Sequence, residues 1–441
     1  MGRPSKTRRL RVMMNGEHVG EWTLRQNGMH EFAYGSSWLI SPNSRPLSLS
    51  MPLRGEPYSG EEVYAFFDNL LPNNDTIRRR IQNRFAARGI DPFSLLRETG
   101  RDCVGAIQLI PPDEAGPDVH TISATPVDDA AVAAILRGAT EAASFGRMEP
   151  VGDEFRISLA GAQEKTALLR HDGRWMVPHG TTPSTHILKL PLGHIGAYSI
   201  DMTTSIENEW LSLKILEGLG LPVAGAAIEC FDGMKALVVE RFDRKPSQDG
   251  SWIVRLPQED LCQATGTPPW QKYEHDGGPG VEIVMELLLS SERAREDREL
   301  FFRTQVAFVL LAAIDGHAKN FSIFLGPKGT FRLTPLYDVL SAYPVIGGGP
   351  DRLSQRKITM AMAMRGKNRV YRWEHITRRH LITTATASGL RQETAESIVD
   401  DLSCRADKAL EQVSRALPPG FPAEVAETIF SGVGECARRI V

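Results

Sequence analysis

The order of apolar and polar positions changes character along the chain. Residues 10–14 (LRVMM) are a short apolar run, and Asn15-Gly16 has the composition of a two-residue hairpin turn. Residues 19–24 supply the return strand, and Asn27-Gly28 repeats the turn signal before a strand over 30–34. Leu47, Leu49, Met51 and Leu53 alternate with Ser48, Ser50 and Pro52, the period of a half-buried strand. Over 61–71 the spacing turns helical, with Val63, Phe66, Phe67, Leu70 and Leu71 inward and Pro72 as the stop. Asn73-Asn74-Asp75 offers caps for a second helix. Its apolar face is Ile77, Ile81 and Phe85; Arg78, Arg79, Arg80 and Arg84 form a solvated face, with a partner surface as the alternative. Residues 104–110 read as a strand, and 111–126, rich in Pro, Asp and Gly, as a connector.

The second half is organised around residues 306–320, VAFVLLAAIDGHAKN. The apolar part is too short to span a membrane, so it predicts a buried helix. Asp315, His317, Lys319 and Asn320 stand at its exit. An Asp and an Asn five positions apart match a phosphotransferase loop, in which the Asp orients or deprotonates a hydroxyl and the Asn holds Mg2+. Residues 331–336 alternate like a strand and deliver Tyr337-Asp338, which makes Asp338 a candidate second metal ligand.

Upstream lies a small-residue loop over 158–166, SLAGAQEKT, followed by an apolar run at 167–169. A strand over 185–190 carries Lys189. A helix follows, with Ile206, Trp210, Leu213 and Leu216 on one face and Glu207 and Glu209 among its polar residues. Strands over 223–230 and 235–239 lead to Glu240-Arg241-Phe242-Asp243. Pro257 within 255–260 suggests the first turn of a helix, and the remainder reads as mostly helical. Flexible turns are expected at 276–280 and 347–349, and a long helix carries Ile398, Leu402, Ala406, Leu410, Val413 and Leu417.

Composition adds constraints. At 441 residues, 41% apolar and 24% charged, the chain has material for more than one globular core. A net charge of −3 argues against wholesale coating of nucleic acid, although a local basic patch can still touch it. The five cysteines, at 103, 230, 262, 404 and 436, form no CxxC pair and read as thiols of a reducing compartment. The basic start MGRPSKTRRL has no apolar core behind it, and no stretch is a membrane span, so a cytoplasmic location is expected. Residues 365–380 hold Lys367, Arg369, Arg372, Arg378 and Arg379 against Glu374, with Tyr371 and Trp373 between them. Lys367, Arg369, Arg378 and Arg379 are candidate phosphate-backbone contacts, with a solvated basic face as the plain alternative.

Loop, lysine strand, helix, two strands, linker, helical lobe, Asp-x4-Asn, strand and Asp is the order of a protein-kinase-like fold. The expected class is therefore α+β and bilobal, with an N-terminal α/β subdomain over 1–112, a connector over 113–147, a kinase-like N-lobe over 148–243 and a mostly helical C-terminal lobe over 244–441. The motifs SLAGAQEKTALL, THILKLP, VVERFDR, RLPQEDLCQATG, YEHDGGPG, DGHAKNFSIF and LTPLYDVLSAYP together resemble the HipA family. PLSLSMPL, FFDNLLPNN and GRDCVGAIQLIPP extend that resemblance to the N-terminal part.

The resemblance implies a serine/threonine kinase toxin of a toxin–antitoxin module, using ATP and Mg2+. It implies that Ala160, Gly161, Ala162, Gln163, Glu164 and Lys165 line the ATP phosphates, that Lys189 binds them and that Glu240, Arg241 and Phe242 hold adenine. Asp315 would be catalytic. His317, Lys319, Asn320, Tyr337 and Asp338 would complete the nucleotide site, with Asn320 and Asp338 on the metal. Apart from the resemblance, a lysine strand followed by a helix with Glu207 and Glu209 makes Glu209 the expected partner of Lys189. Ser158 matches a position that family members autophosphorylate. The implied partners are a HipB-type helix-turn-helix antitoxin and, through it, operator DNA; the implied substrate is glutamate–tRNA ligase or another aminoacyl-tRNA synthetase. Two other readings fit the motifs less fully: a kinase-shaped corepressor acting through a DNA-bound antitoxin, and a small-molecule phosphotransferase.

Overall fold

The computed structural model describes residues 7–116, 118–140, 165–196, 199–349 and 351–440. The chain divides into two units, each assembled from separated stretches: 1–190, 229–270 and 323–331 in the first, 191–228, 271–322 and 332–441 in the second. This division differs from the four consecutive segments expected. Residues 191–228, placed by the sequence in an N-terminal lobe, cluster with the helical unit.

The first unit begins with the predicted hairpin. Asn15 and Gly16 both take positive φ, 46° and 84°, the conformation whose twist suits antiparallel strands. Arg8–Met14 and Glu17–Leu24 become the centre of a five-stranded sheet ordered Tyr58–Ser59, His30–Tyr34, Glu17–Leu24, Arg8–Met14, Ile107–Ile110. Trp22 from this sheet stacks on Phe67 of the helix Glu61–Asp68, ring centroids 3.8 Å apart. The strand expected over 47–53 is absent. Leu47 and Met51 are buried, yet the backbone forms only an isolated bridge between Ser48 and Met51. Ser48 bonds the Glu259 carboxyl, and Ser48 and Ser50 both donate to the Gln263 carbonyl, so the alternation belongs to a tethered turn. Asn74 caps the helix Asp75–Arg84 as expected. Arg78 is not on a solvated face: it is buried and pairs with Asp68 at 2.7 Å.

A second, six-stranded sheet runs in the order Ala226–Phe231, Met234–Glu240, His186–Lys189, Lys165–His171, Arg174–Pro178, Ala124–Pro126. Its core joins Leu168, Trp175, Leu188 and Val238 to Val132 and Leu136 of the helix Asp129–Thr140. The stretch expected as a connector thus supplies both an edge strand and a covering helix. Residues 255–260 are not a helix start. They contain the ends of the strands Ile253–Arg255 and Gln258–Asp260, and the short helix Leu261–Ala264 begins only after Asp260 and Gln263 form a capping box.

A buried ionic lattice joins four segments of this unit. Asp102 accepts from Arg244 at 2.8 Å, from Arg241 at 3.1 Å and from Ser184 Oγ at 2.6 Å, and lies 3.4 Å from Arg255. Asp243 accepts from the Gly105 N–H at 2.7 Å and from Arg241 at 3.0 Å. Lone buried charges are costly, and reciprocal pairing of this kind offsets the desolvation. The four segments are the end of the N-terminal sheet region, the approach to the Lys189 strand, the turn after Met234–Glu240, and the strand ending at Arg255.

In the second unit the buried helix expected from residue 306 starts earlier and spans Ala294–Leu311. Ala312 ends it in the left-handed region, φ 48°, with its N–H bonded to the carbonyls of Phe308 and Val309. Gln392–Arg415 is the predicted long helix, with Ile398, Leu402, Ala406, Leu410 and Val413 buried. The expectation of mostly helix misses the hairpin of Thr359–Arg365 with Arg369–Arg372.

Candidate functional site

The loop leaving the helix Ala294–Leu311 is fixed by its own bonds. The Asp315 carbonyl accepts from the His317 N–H at 2.8 Å and from Asn320 Nδ2 at 2.9 Å. Asn320 N–H returns to the His317 carbonyl at 2.9 Å. The Asp-x4-Asn spacing is therefore a closed local unit: the Asn side chain reaches back across one short helical turn, Ala318–Asn320, and holds the Asp backbone. Gly316 is required by contact, since a Cβ there would lie 2.5 Å from the Phe308 ring. The Asp315 side chain stays mostly exposed, while His317, Lys319 and Asn320 are buried.

Tyr337 and Asp338 lie in the same unit. Tyr337 Oη donates to the Lys319 carbonyl at 3.1 Å and bonds Ser322 Oγ at 2.6 Å, which ties this segment to the loop. Asp338 takes φ 57°, a left-handed conformation uncommon for a residue with a side chain and found at functional turns. Three residues on, Ser341 is clasped by Asn208 of the helix Ser205–Gly218. Asn208 Nδ2 donates to its carbonyl at 2.7 Å and Oδ1 accepts its N–H at 2.8 Å. Ser341 Oγ then donates to the Leu311 carbonyl at 2.7 Å, at the end of the buried helix.

Tyr273 Oη donates to Asp315 Oδ1 at 2.6 Å. Its ring meets His317 edge-on at 5.1 Å. Burial pushes the His317 imidazole down to about 4 against the opposing pull of Asp315, so at neutral pH it is an uncharged neighbour. Burial, and then the Asp315 carboxylate, raises the Tyr273 phenol above its ordinary value and keeps it a donor. Asn320 spends an amide donor on the Asp315 carbonyl and has its oxygen to offer; Asp338 offers a carboxylate. These hard donors suit Mg2+. Among the described residues no group of three or more His, Cys, Asp or Glu forms a metal cage.

In the first unit Lys165 opens the strand Lys165–His171 and Lys189 closes the strand His186–Lys189. The two are register partners across the antiparallel pair, so both side chains lie on one face of the sheet. Glu240 is exposed at the end of Met234–Glu240, and Phe242 packs edge-on against Phe324 at 5.7 Å. Arg241 departs from its expected role as an adenine contact. Its N–H donates to the Thr185 carbonyl at 2.9 Å, its carbonyl accepts from Arg244, and its guanidinium is committed to Asp102, Asp243 and Ser184. Ser158, Ala160, Gly161, Ala162, Gln163 and Glu164 lie outside the described residues. Glu207 and Glu209 are buried on the helix Ser205–Gly218.

The basic stretch is largely neutralised within its own unit. Arg369 pairs with Glu274 at 2.9 Å, Arg365 with Glu282 at 2.6 Å and Arg378 with Asp400 at 2.5 Å. The turn over 276–280 is not a flexible one. A Cβ at Gly278 would stand 1.9 Å from the Gln271 carbonyl, and one at Gly280 would stand 2.2 Å from the Glu274 carboxyl carbon. Those glycines place Tyr273 and Glu274. Sequence reasoning gave Tyr273 and Asn208 no role; the glycine cluster after Tyr273 was the available signal for the first.

A sheet with a lysine at a strand end, and a helical unit carrying an interlocked Asp-x4-Asn with a following Asp, define a kinase of α+β, protein-kinase-like fold. Residues 157–410 match the family model described as the HipA-like C-terminal domain, and residues 10–110 that of the HipA N-terminal domain. With more than half of the sequence inside the first match, the chain belongs to the HipA family. It is 36% identical over 362 residues, 80% of this chain and 82% of the relative, to "Putative kinase Y4mE" of Sinorhizobium fredii. It is 27% identical over 388 residues, 85% of this chain and 82% of the relative, to "Serine/threonine-protein kinase toxin HipA" of Shewanella oneidensis. The fold matches a chain of the Shewanella oneidensis complex of HipA, HipB and operator DNA with a TM-score of 0.80 at 23% identity, covering 98% of this chain and 97% of that one.

Proposed function

We propose that this chain is a Mg·ATP-dependent serine/threonine protein kinase acting as a growth-inhibiting toxin of the cytoplasm. Asp315 orients and deprotonates the acceptor hydroxyl, Asn320 and Asp338 hold Mg2+, and Lys165 and Lys189 neutralise the ATP phosphates. Residues 160–164 line those phosphates, Glu240 and Phe242 hold the adenine, and His317, Lys319 and Tyr337 belong to the nucleotide site. Bound Mg2+ would draw negative charge from the transferring phosphoryl group. The observation that carries this reading is the interlock of Asp315 with Asn320 at the exit of a buried helix, since phosphoryl transfer is catalysed mainly by positioning and charge.

Asp315→Asn keeps ATP affinity and lowers phosphorylation on the order of 10²–10⁴-fold. Phosphorylation at near the wild-type rate would overturn the assignment.

The same reading gives the kinase a HipB-type antitoxin that docks mainly on the N-terminal part and brings it to operator DNA. Its substrate is an aminoacyl-tRNA synthetase such as glutamate–tRNA ligase. It also makes Ser158 a self-inactivating site, because a phosphate there adds about −1.5 to −2 charges beside bound ATP. Mass-spectrometrically confirmed Ser158 phosphoprotein that binds Mg·ATP as well as unmodified protein would remove that switch. For DNA, the ion pairs of Arg369 and Arg378 leave Lys367 and Arg379 as the stronger candidates. Replacing both by Ala flattens the salt dependence of operator binding by the antitoxin complex, and an unchanged slope would return the patch to solvated surface.

A further inference from the structure

The Asp315 carboxylate is mostly exposed, with its side chain 61% accessible. The terminal torsion of an Asp is broad, so an exposed carboxylate samples many orientations unless something holds it. The Asp315 backbone is fixed by His317 and Asn320, but neither of those bonds reaches the carboxylate. Among the described residues, the hydrogen bond that does is the one from Tyr273 Oη to Oδ1, 2.6 Å long, while Oδ2 lies 3.9 Å from His317 Nε2. Hydrogen bonds to ionised acceptors are short and about twice as strong as neutral ones.

Tyr273 is itself held with care. Its carbonyl accepts from the Asp276 N–H at 3.1 Å and the Gly278 N–H at 3.0 Å, which closes the tight turn that excludes any Cβ at 278. The preceding Lys272 carbonyl accepts the Ala318 N–H at 3.2 Å, joining the Tyr273 segment directly to the loop of Asp315. The ring stacks on His275 at 5.4 Å and meets His317 edge-on at 5.1 Å. The next residue, Glu274, is anchored by the Ala363 N–H at 2.6 Å and by Arg369 at 2.9 Å, both on the hairpin of Thr359–Arg365 and Arg369–Arg372. The phenol is thus delivered by a rigid segment braced from two sides.

We propose that Tyr273 is a positioning residue for phosphoryl transfer: it pins Oδ1 of Asp315 so that Oδ2 faces the acceptor hydroxyl. This rests on the assignment of Asp315 as the catalytic carboxylate. When the acceptor oxygen bonds to the γ-phosphorus and the bond from phosphorus to the β–γ bridging oxygen breaks, the acceptor proton passes to Oδ2 and ADP leaves with the bridging oxygen. Tyr273 keeps its own proton throughout. The Glu274 anchors extend the brace to the basic hairpin, so the segment most often read as a flexible glycine turn is the frame of the catalytic carboxylate.

The test compares wild type, Tyr273→Phe and Asp315→Asn as full-length protein with a peptide or protein acceptor. Tyr273→Phe keeps the ring and its stacking partners and removes only the hydroxyl. The expected result is a kcat lower by roughly tenfold to a hundredfold, the size of one charge-assisted hydrogen bond, with KM for ATP and the melting temperature unchanged. A purely structural role would lower the melting temperature or raise KM for ATP while sparing kcat, and either pattern would overturn the proposal. If Asp315→Asn abolishes transfer while Tyr273→Phe matches wild type, the proposal fails and the assignment of Asp315 stands. If Asp315→Asn itself remains active, the assignment fails first.

Discussion

Lys165 and Lys189 face one another across adjacent antiparallel strands. Two cations directly opposite on one sheet face favour an anionic neighbour, and under the proposed function a nucleotide's phosphates would be that neighbour. Lys189→Met is expected to weaken Mg·ATP binding at least tenfold and Lys165→Met less, because Lys189 is the more deeply buried of the two. Calorimetric titration of the two variants checks the order. Unchanged ATP affinity in Lys189→Met would remove the lysine pair from the nucleotide site.

The Asp102 lattice makes a separate prediction. Burial opposes its charge, yet Arg244, Arg241 and Arg255 together hold the carboxyl well below the usual range. Removing one partner from a buried ion pair leaves the others uncompensated and costs about 3–5 kcal/mol. Asp102→Asn should therefore lower the urea midpoint strongly at pH 7. The lattice touches Ser184, just ahead of the Lys189 strand, and Arg241, just after Met234–Glu240. Surviving folded variant should accordingly bind ATP more weakly. A midpoint within experimental error of wild type would mean that the charges are solvated rather than locked.

How much of this was legible in advance differs by element. The first hairpin and the Asn74 cap were readable because local backbone chemistry specifies them, and the last turns of the buried helix, from residue 306, because a continuous apolar run does; its first twelve residues are too polar to have shown it. The tethered turn at 47–53 was not, since alternating Leu and Ser look like a strand until Glu259 supplies a distant acceptor. Arg78 was misread for a related reason: an arginine's partner lies wherever the fold brings a carboxylate, and periodicity says nothing about that. The Asp315–Asn320 spacing was legible because the bond that realises it spans only five residues. Tyr273 was hidden by its distance of forty-two positions from Asp315.

His186 gives the protein an acid sensitivity with a defined sign. Burial, and then nearby Arg170, pushes its imidazole down from 6.5 to about 4. Between those values the unfolded chain binds a proton that the folded chain refuses, so stability falls as pH drops from 6.5 toward 4. The contribution is complete above 6.5. His186→Gln removes this linkage and should flatten the fall of the urea midpoint between pH 6.5 and 4. His317, shifted the same way to about 4, leaves a residual slope in the variant. A pH profile in His186→Gln as steep as in wild type would show that the ring is protonated in the folded state.

Asn208 links the helix Ser205–Gly218 to the segment that follows Asp338. Its amide makes the reciprocal pair with the Ser341 backbone, and Ser212 Oγ adds a third bond to Oδ1 at 3.2 Å. Asn208 and Ser341 are both buried, so water cannot replace the lost partners. Asn208→Ala would strand a buried N–H and a buried carbonyl, each costing roughly 1–3 kcal/mol. Asn208→Asp keeps the acceptor for the N–H but sets a carboxylate against the carbonyl, so it should be no milder. The functional consequence follows from position. Asp338 holds its left-handed backbone three residues before Ser341, and the Ala342 N–H is bonded to the Ala312 carbonyl at 3.0 Å, at the end of the helix Ala294–Leu311. Loosening the clasp should let Asp338 drift and raise the Mg2+ concentration needed for half-maximal phosphorylation. ATP affinity measured without metal should stay near the wild-type value. Thermal unfolding and a Mg2+ titration of activity test the two effects separately. A destabilised variant with an unchanged Mg2+ requirement would make Asn208 a packing residue alone.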